Sequence, residues 1–156
     1  MPSVLIVCTA NICRSPMGEA ILKKLVSGRP DADQWRIESA GISARDGNAP
    51  SLNSEYVMEK MGMDISKHQS RPVSPKLIAE FDLILTMEIA QKARLCNQYK
   101  ELEDRIYLLS EMVGREEDIG DPIGGELFEY QETAFLLERI LTDGFNRIYQ
   151  LACLRE

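Results

Sequence analysis

Residues 4–16 read Val4-Leu5-Ile6-Val7-Cys8-Thr9-Ala10-Asn11-Ile12-Cys13-Arg14-Ser15-Pro16. An unbroken β-prone apolar run ends at Cys8, and a short stretch of small and polar residues follows. From Ser15 onward the pattern turns helical, with Met17, Ile21 and Leu25 recurring at every fourth position. The first run suits a strand buried on both faces of a parallel sheet. The second is one face of a helix, with Pro16 suited to a first helical position.

The same alternation runs down the chain. Trp35 to Ser39 alternates like a second strand, and Ser39 to Pro50 carries Gly41, Gly47, Asn48 and Pro50 and reads as a long loop. Ser51 to Met61 is helical and stops at Gly62. Asp82 to Thr86 is a third strand, Glu88 to Gln98 a helix, and Arg105 to Leu109 a fourth strand. Gly114 to Gly125 is polar and turn-rich. From Glu126 a long amphipathic helix runs to the C-terminus, with a weak point at Asp143-Gly144. Strands alternating with helices imply parallel pairing with right-handed crossovers, hence a three-layer α/β sandwich. In such sheets ligands bind beyond the carboxyl ends of the strands, at a switch point.

With 156 residues, residues 1–156 form a single domain. At 44% hydrophobic and 28% charged the chain is ordinary for a globular protein, so disorder and collagen-like repeats are excluded. Eighteen basic against twenty-five acidic residues leave a net charge of −7, which disfavours nucleic acid. The apolar runs fall far short of the ~20 residues a membrane span needs, and Met1-Pro2-Ser3 enters a strand with no basic leader. These features read as a cytoplasmic protein. The four cysteines (Cys8, Cys13, Cys96 and Cys153) match neither a metal layout nor a disulfide framework.

The loop after the first strand carries the chemistry. Cys8 and Arg14 are separated by five residues. That spacing alone is weak evidence, and its strand–loop–helix context makes it informative. A short loop wrapped at a helix N-terminus aims backbone N–H groups at one point, where the helix dipole adds positive character. Such a nest holds a tetrahedral oxyanion, here with Thr9, Ala10, Asn11, Ile12, Cys13 and Ser15 as its wall. Arg14 can grip two oxygens in a fork. Cys8 would face the same cradle, where its thiolate is favoured for the reason an anion is, poised for in-line attack on phosphorus. Ser15 can donate its hydroxyl to the sulfur or act as a plain N-cap. Asn11 tolerates the positive φ that a tight anion loop needs. Cleaving a phosphate ester also requires an acid for the leaving oxygen. Asp121, held extended by Pro122 and followed by Gly124-Gly125, competes for that role with Glu117 and Asp118.

Val7-Cys8, Asn11-Ile12-Cys13-Arg14-Ser15-Pro16 and Glu19-Ala20 together resemble the N-terminal signature of the low-molecular-weight protein tyrosine phosphatases. Ser39-Ala40-Gly41 with Ser43, the His68/Arg71 pair, Leu85-Thr86-Met87-Glu88 and Asp121-Pro122 extend the resemblance over most of the chain. It implies a four-stranded parallel sheet of order 2-1-3-4. It also implies Cys8 as nucleophile, Arg14 as phosphate ligand and Asp121 as general acid, with no metal or other cofactor. Ser43 and the lone His68 enter as supporting residues, His68 bracing the loop through Asn11 or Ser43. Glu19 and Glu88 are candidates to orient Arg14. Cys13 beside Cys8 would allow a reversible disulfide that protects the nucleophile, while Cys96 and Cys153 read as structural.

The chain departs from the family pattern in two places. Ile123 follows Asp121-Pro122, and Arg45 follows Ser43 on its loop, where many members carry aromatic residues; Arg45 either reads acidic neighbours of a phosphosite or is an ordinary surface charge. The resemblance implies a phosphotyrosine-bearing protein as substrate and, in a bacterial setting, a cognate tyrosine kinase. Phosphoarginine is the alternative, suggested by Gly124-Gly125 and opposed by Ile12, where bacterial arginine phosphatases resemble the family but carry Thr. Arsenate reduction would need further cysteines near the loop. A non-catalytic phosphate-binding module would need neither Cys8 nor Asp121.

Overall fold

The computed structural model describes residues 1–154. Four parallel strands form one sheet: β1 (Ser3–Cys8), β2 (Arg36–Gly41), β3 (Leu83–Thr86) and β4 (Ile106–Leu108), in the order β2-β1-β3-β4. The expected fold class and strand order are both present. The second strand lies slightly later than its alternating pattern implied, because Ala40 and Gly41 continue the ladder to pair with Val7 and Cys8.

Every residue of β1 is buried, as a strand covered on both faces must be. Val4 and Ile6 face one helical layer, where they join Met17 and Leu22 of α1 (Arg14–Ser27) and Leu137 and Leu141 of α5 (Leu127–Asp143). Leu5 and Val7 face the other, with Phe81, Ile106, Ile78 of α3 (Pro75–Ala79) and Leu95 of α4 (Ile89–Gln98). The remaining helices, α2 (Leu52–Lys60) and α6 (Phe145–Cys153), sit with the first layer. Helix α3 is a short element that no periodicity announced; Ser74 caps it by accepting from the Leu77 N–H at 3.1 Å.

Gly144 breaks the C-terminal helix where its sequence was weak. A β-carbon there would lie 2.7 Å from Met112 Cβ and 2.8 Å from the Ile140 carbonyl, so the chain bends where only glycine fits. Because β1 pairs with β2 on one side and β3 on the other, the chain reverses its direction of winding at β1. The crevice beyond Cys8 is therefore the topological switch point.

Candidate active site

Cys8 ends β1 opposite Gly41, and residues 9–13 curl from it into the first turn of α1. What shapes the curl is where its carbonyls go. The Cys8 carbonyl accepts from Ile42 N–H and the Thr9 carbonyl from Ser43 N–H, each at 2.9 Å. The Ile12 carbonyl accepts from Ser51 N–H at 2.9 Å, and the Asn11 carbonyl from His68 Nε2 at 2.8 Å. These carbonyls are drawn outward, so the peptide units turn their N–H groups inward. Among the described residues no acceptor takes the N–H groups of Ala10 through Ser15. With the N-terminus of α1 behind them, they make an anion cradle.

Asn11 holds the curl. It is fully buried at φ 58°, in the left-handed region that Asn enters more readily than most residues. Its Oδ1 accepts from Arg71 N–H at 3.0 Å, which fixes the orientation of the amide. Its Nδ2 then donates to Ser15 Oγ at 2.8 Å and to Ser39 Oγ at 3.0 Å. Ser15 Oγ in turn lies 2.9 Å from Cys8 Sγ, placed to donate to an ionised sulfur. Ser15 is thus no N-cap: the cap position is Cys13, and Ser15 and Pro16 lie within the first turn.

Arg14 is 1% exposed and spans the site. Its Nη1 donates to Glu88 Oε2 at 2.5 Å and to the Ile119 carbonyl at 2.7 Å. Its Nη2 faces Thr9 Oγ1 and Asp121 Oδ2, each at 3.4 Å. Its Nε is buried with no hydrogen-bond partner, which leaves a guanidinium donor for an oxyanion. Of the two carboxylates expected to orient Arg14, Glu88 does so. Glu19 does not: it accepts from Ser39 Oγ and Lys23 Nζ, both at 2.6 Å, and so buttresses Asn11 from behind.

The acid loop, residues 114–125, crosses in front. Asp121 carries its carboxylate 34% exposed, braced by Ile123 N–H on Oδ1 at 3.1 Å. The competing carboxylates are used elsewhere. Asp118 accepts from Ile89 N–H at 2.7 Å, and Glu117 faces Arg115 at 3.8 Å. The glycine pair closes a turn, with Gly124 at φ 79° and Gly125 N–H on the Pro122 carbonyl at 2.9 Å. His68 reaches Asn11 rather than Ser43, and Ser43 supports the loop through its backbone N–H.

The model of the family described as low molecular weight phosphotyrosine protein phosphatase matches residues 3–150. A curated relative, the probable low molecular weight protein-tyrosine-phosphatase EpsP of Ralstonia nicotianae, is 33% identical over 88% of this chain and 89% of its own length. The crystal structure of a low molecular weight protein tyrosine phosphatase from T. tengcongensis superposes with a TM-score of 0.87 at 35% identity, covering 94% of this chain and 99% of that one. The YwlE arginine phosphatase from Geobacillus stearothermophilus gives 0.86 at 28% identity, covering 97% and 96%. The chain belongs to the low molecular weight phosphotyrosine protein phosphatase family.

Within this phosphatase family member, three contributors escaped the sequence reading. One is the Ile119 carbonyl on Arg14, which has no sequence signal because any residue supplies a carbonyl. Another is Tyr130 of α5, whose hydroxyl lies 3.9 Å from Cys13 Sγ. Burial pushes the Cys13 thiol above its ordinary value, against its hydrogen bonds with Ser51 and Tyr130. The third is Gln91, whose spacing of three from Glu88 is a capping-box pattern that would have flagged it. Cys8 and Cys13 are both free thiols. Among the described residues, no three His, Cys, Asp or Glu side chains converge to hold a metal ion.

Proposed function

We propose that this phosphatase hydrolyses phosphotyrosine in proteins, and small aryl phosphates, through a phosphocysteine at Cys8. Cys8 Sγ attacks phosphorus in line. The Ala10–Ser15 amides and Arg14 stabilise the equatorial oxygens as charge builds, a preorganised electrostatic role. Asp121 protonates the leaving phenolic oxygen, then accepts a proton from the water that releases phosphate. Ser15 stabilises the sulfur as leaving group in that second step. The observation that carries the reading is the meeting of two distant segments at Arg14: the loop of Cys8 on one side and Asp121 on the other, at 3.4 Å.

Ile12, half-buried and packed on the core, supplies an apolar wall suited to an aryl ring. The likeness to an arginine phosphatase supports phosphoarginine as a second substrate class. Turnover of the two phosphoamino acids separates the readings, with Ile12→Thr expected to move the ratio toward phosphoarginine. The setting we infer is cytoplasmic, opposite a tyrosine kinase that supplies the phosphoprotein. A pH–rate profile with an aryl phosphate tests the chemistry: Asp121→Asn should lose the basic limb along with most of the rate. If acid quenching during turnover never captures phosphocysteine at position 8, the reading fails.

A further inference from the structure

Thr9 sits at the mouth of the cradle, and the Gln91 amide beside it can be oriented without ambiguity. Gln91 Oε1 accepts two backbone N–H groups, from Met87 at 3.1 Å and Glu88 at 3.0 Å, so this atom is the carbonyl oxygen. Its Nε2 is then the donor, giving one hydrogen to Thr9 Oγ1 at 3.0 Å and the other to Glu88 Oε2 at 3.3 Å. Arg14 Nη2, always a donor, gives Thr9 Oγ1 a second hydrogen at 3.4 Å. Both lone pairs of the Thr9 hydroxyl are thereby engaged. Its proton is donated to no acceptor among the described residues, and it is directed away from Gln91 and Arg14.

That proton shares its surroundings with Asp121. Thr9 Oγ1 and Asp121 Oδ2 each lie 3.4 Å from the same Arg14 Nη2. Both oxygens therefore flank one guanidinium nitrogen, on residues that are both exposed. A water between them can accept from Thr9 and donate to Asp121 in ordinary hydrogen bonds of about 2.8 Å.

We infer that Thr9 positions the water that hydrolyses the phosphocysteine, held in orientation by Gln91 and Arg14. The inference rests on the phosphocysteine reading above. In the second step the water accepts the Thr9 proton in a hydrogen bond through one lone pair and attacks phosphorus through the other. The P–S bond breaks, its electron pair returns to Cys8 Sγ as thiolate, and one water proton passes to the Asp121 carboxylate; the product is inorganic phosphate. The first step needs no water, so Thr9 acts mainly on the second.

The test is acid-quench and burst kinetics with 4-nitrophenyl phosphate on the wild type, Thr9→Val and Thr9→Ser. Thr9→Val should slow hydrolysis of the phosphocysteine about tenfold more than it slows phosphocysteine formation. Thr9→Ser, which keeps the hydroxyl, should restore hydrolysis to within about twofold. Hydrolysis at the wild-type rate in Thr9→Val would overturn the inference. So would an equal loss in both steps, which marks a loop-shaping role, or a failure of Thr9→Ser to rescue. Absence of phosphocysteine in all three proteins would instead overturn the phosphatase reading, and this inference with it.

Discussion

The two loops that meet at Arg14 are built on opposite principles. In residues 8–15 the side chains and carbonyls are committed while the amides stay open: the Asn11 side chain alone makes three hydrogen bonds, two of them buried, and the carbonyls around it are tied to Ile42, Ser43, Ser51 and His68. The acid loop, 114–125, is mostly exposed. It is pinned by Ile119, through its N–H to the Met87 carbonyl at 2.8 Å and its carbonyl to Arg14, and at its shoulders by Asp118 and Ser110. An oxyanion cradle must be preorganised, since reorganising it during reaction would cost the stabilisation it provides. A proton donor needs only a rigid point of attachment and access to the leaving group. Damage to the first loop should therefore cost both fold and activity, and damage at the tip of the second should cost activity alone.

Cys8→Ser should show the largest effect, a loss of about 10⁴-fold or more in turnover, with phosphate binding kept because the cradle amides remain; steady-state assay and calorimetry read the two. Asp121→Asn should lower kcat by about 10²–10³-fold while moving the melting temperature by no more than about 1 °C, since its carboxylate is solvent-facing. A melting shift of several degrees would mean that the acid loop carries part of the fold.

Asn11→Ala sharpens the contrast from the other side. It leaves Arg71 N–H and the Ser15 and Ser39 hydroxyls without their partner and places Ala at φ 58°, for a loss of about 3 kcal/mol. That should lower the melting temperature by about 6–12 °C together with kcat. Gly41→Ala is a milder version. Its β-carbon would lie 2.6 Å from the Thr9 carbonyl and 3.0 Å from Asn11 N, costing about 1–3 kcal/mol as the loop is forced off the strand.

The smallest effect is in acid. Burial alone would raise the Glu38 carboxyl, but bonds from Arg36 and Arg71 outweigh it and hold it below its ordinary value of 4.5. A carboxyl lowered on folding adds stability that is full above 4.5 and is lost as pH falls through the folded value. Denaturation midpoints measured between neutral pH and pH 3 should fall less steeply in Glu38→Gln than in the wild type.

Much of this was legible beforehand, for identifiable reasons. The buried run Val4 to Cys8 and the four-residue recurrence from Met17 carry the strand and the helix, and the positive φ falls on Asn11, a residue that enters that region more readily than most. Glu19 was misread because its sequence neighbours place it on the first helix near Arg14. Its carboxylate instead turns to Ser39 of β2, and the direction of a side chain is a tertiary matter. Gln91 was overlooked because a polar residue on a helix is ordinarily solvated, and burial is not visible in a single sequence.

The sequence by itself determined the strand–loop–helix unit and the alternation that makes a parallel sheet, because these depend on periodicity and on short-range backbone chemistry. Only the tertiary structure decided which carboxylates reach Arg14. Glu88 and Asp121 lie 74 and 107 positions from Arg14, and Glu117, Asp118 and Glu19 carry the same chemical group. What separates them is which oxygens the fold brings within reach of one buried guanidinium.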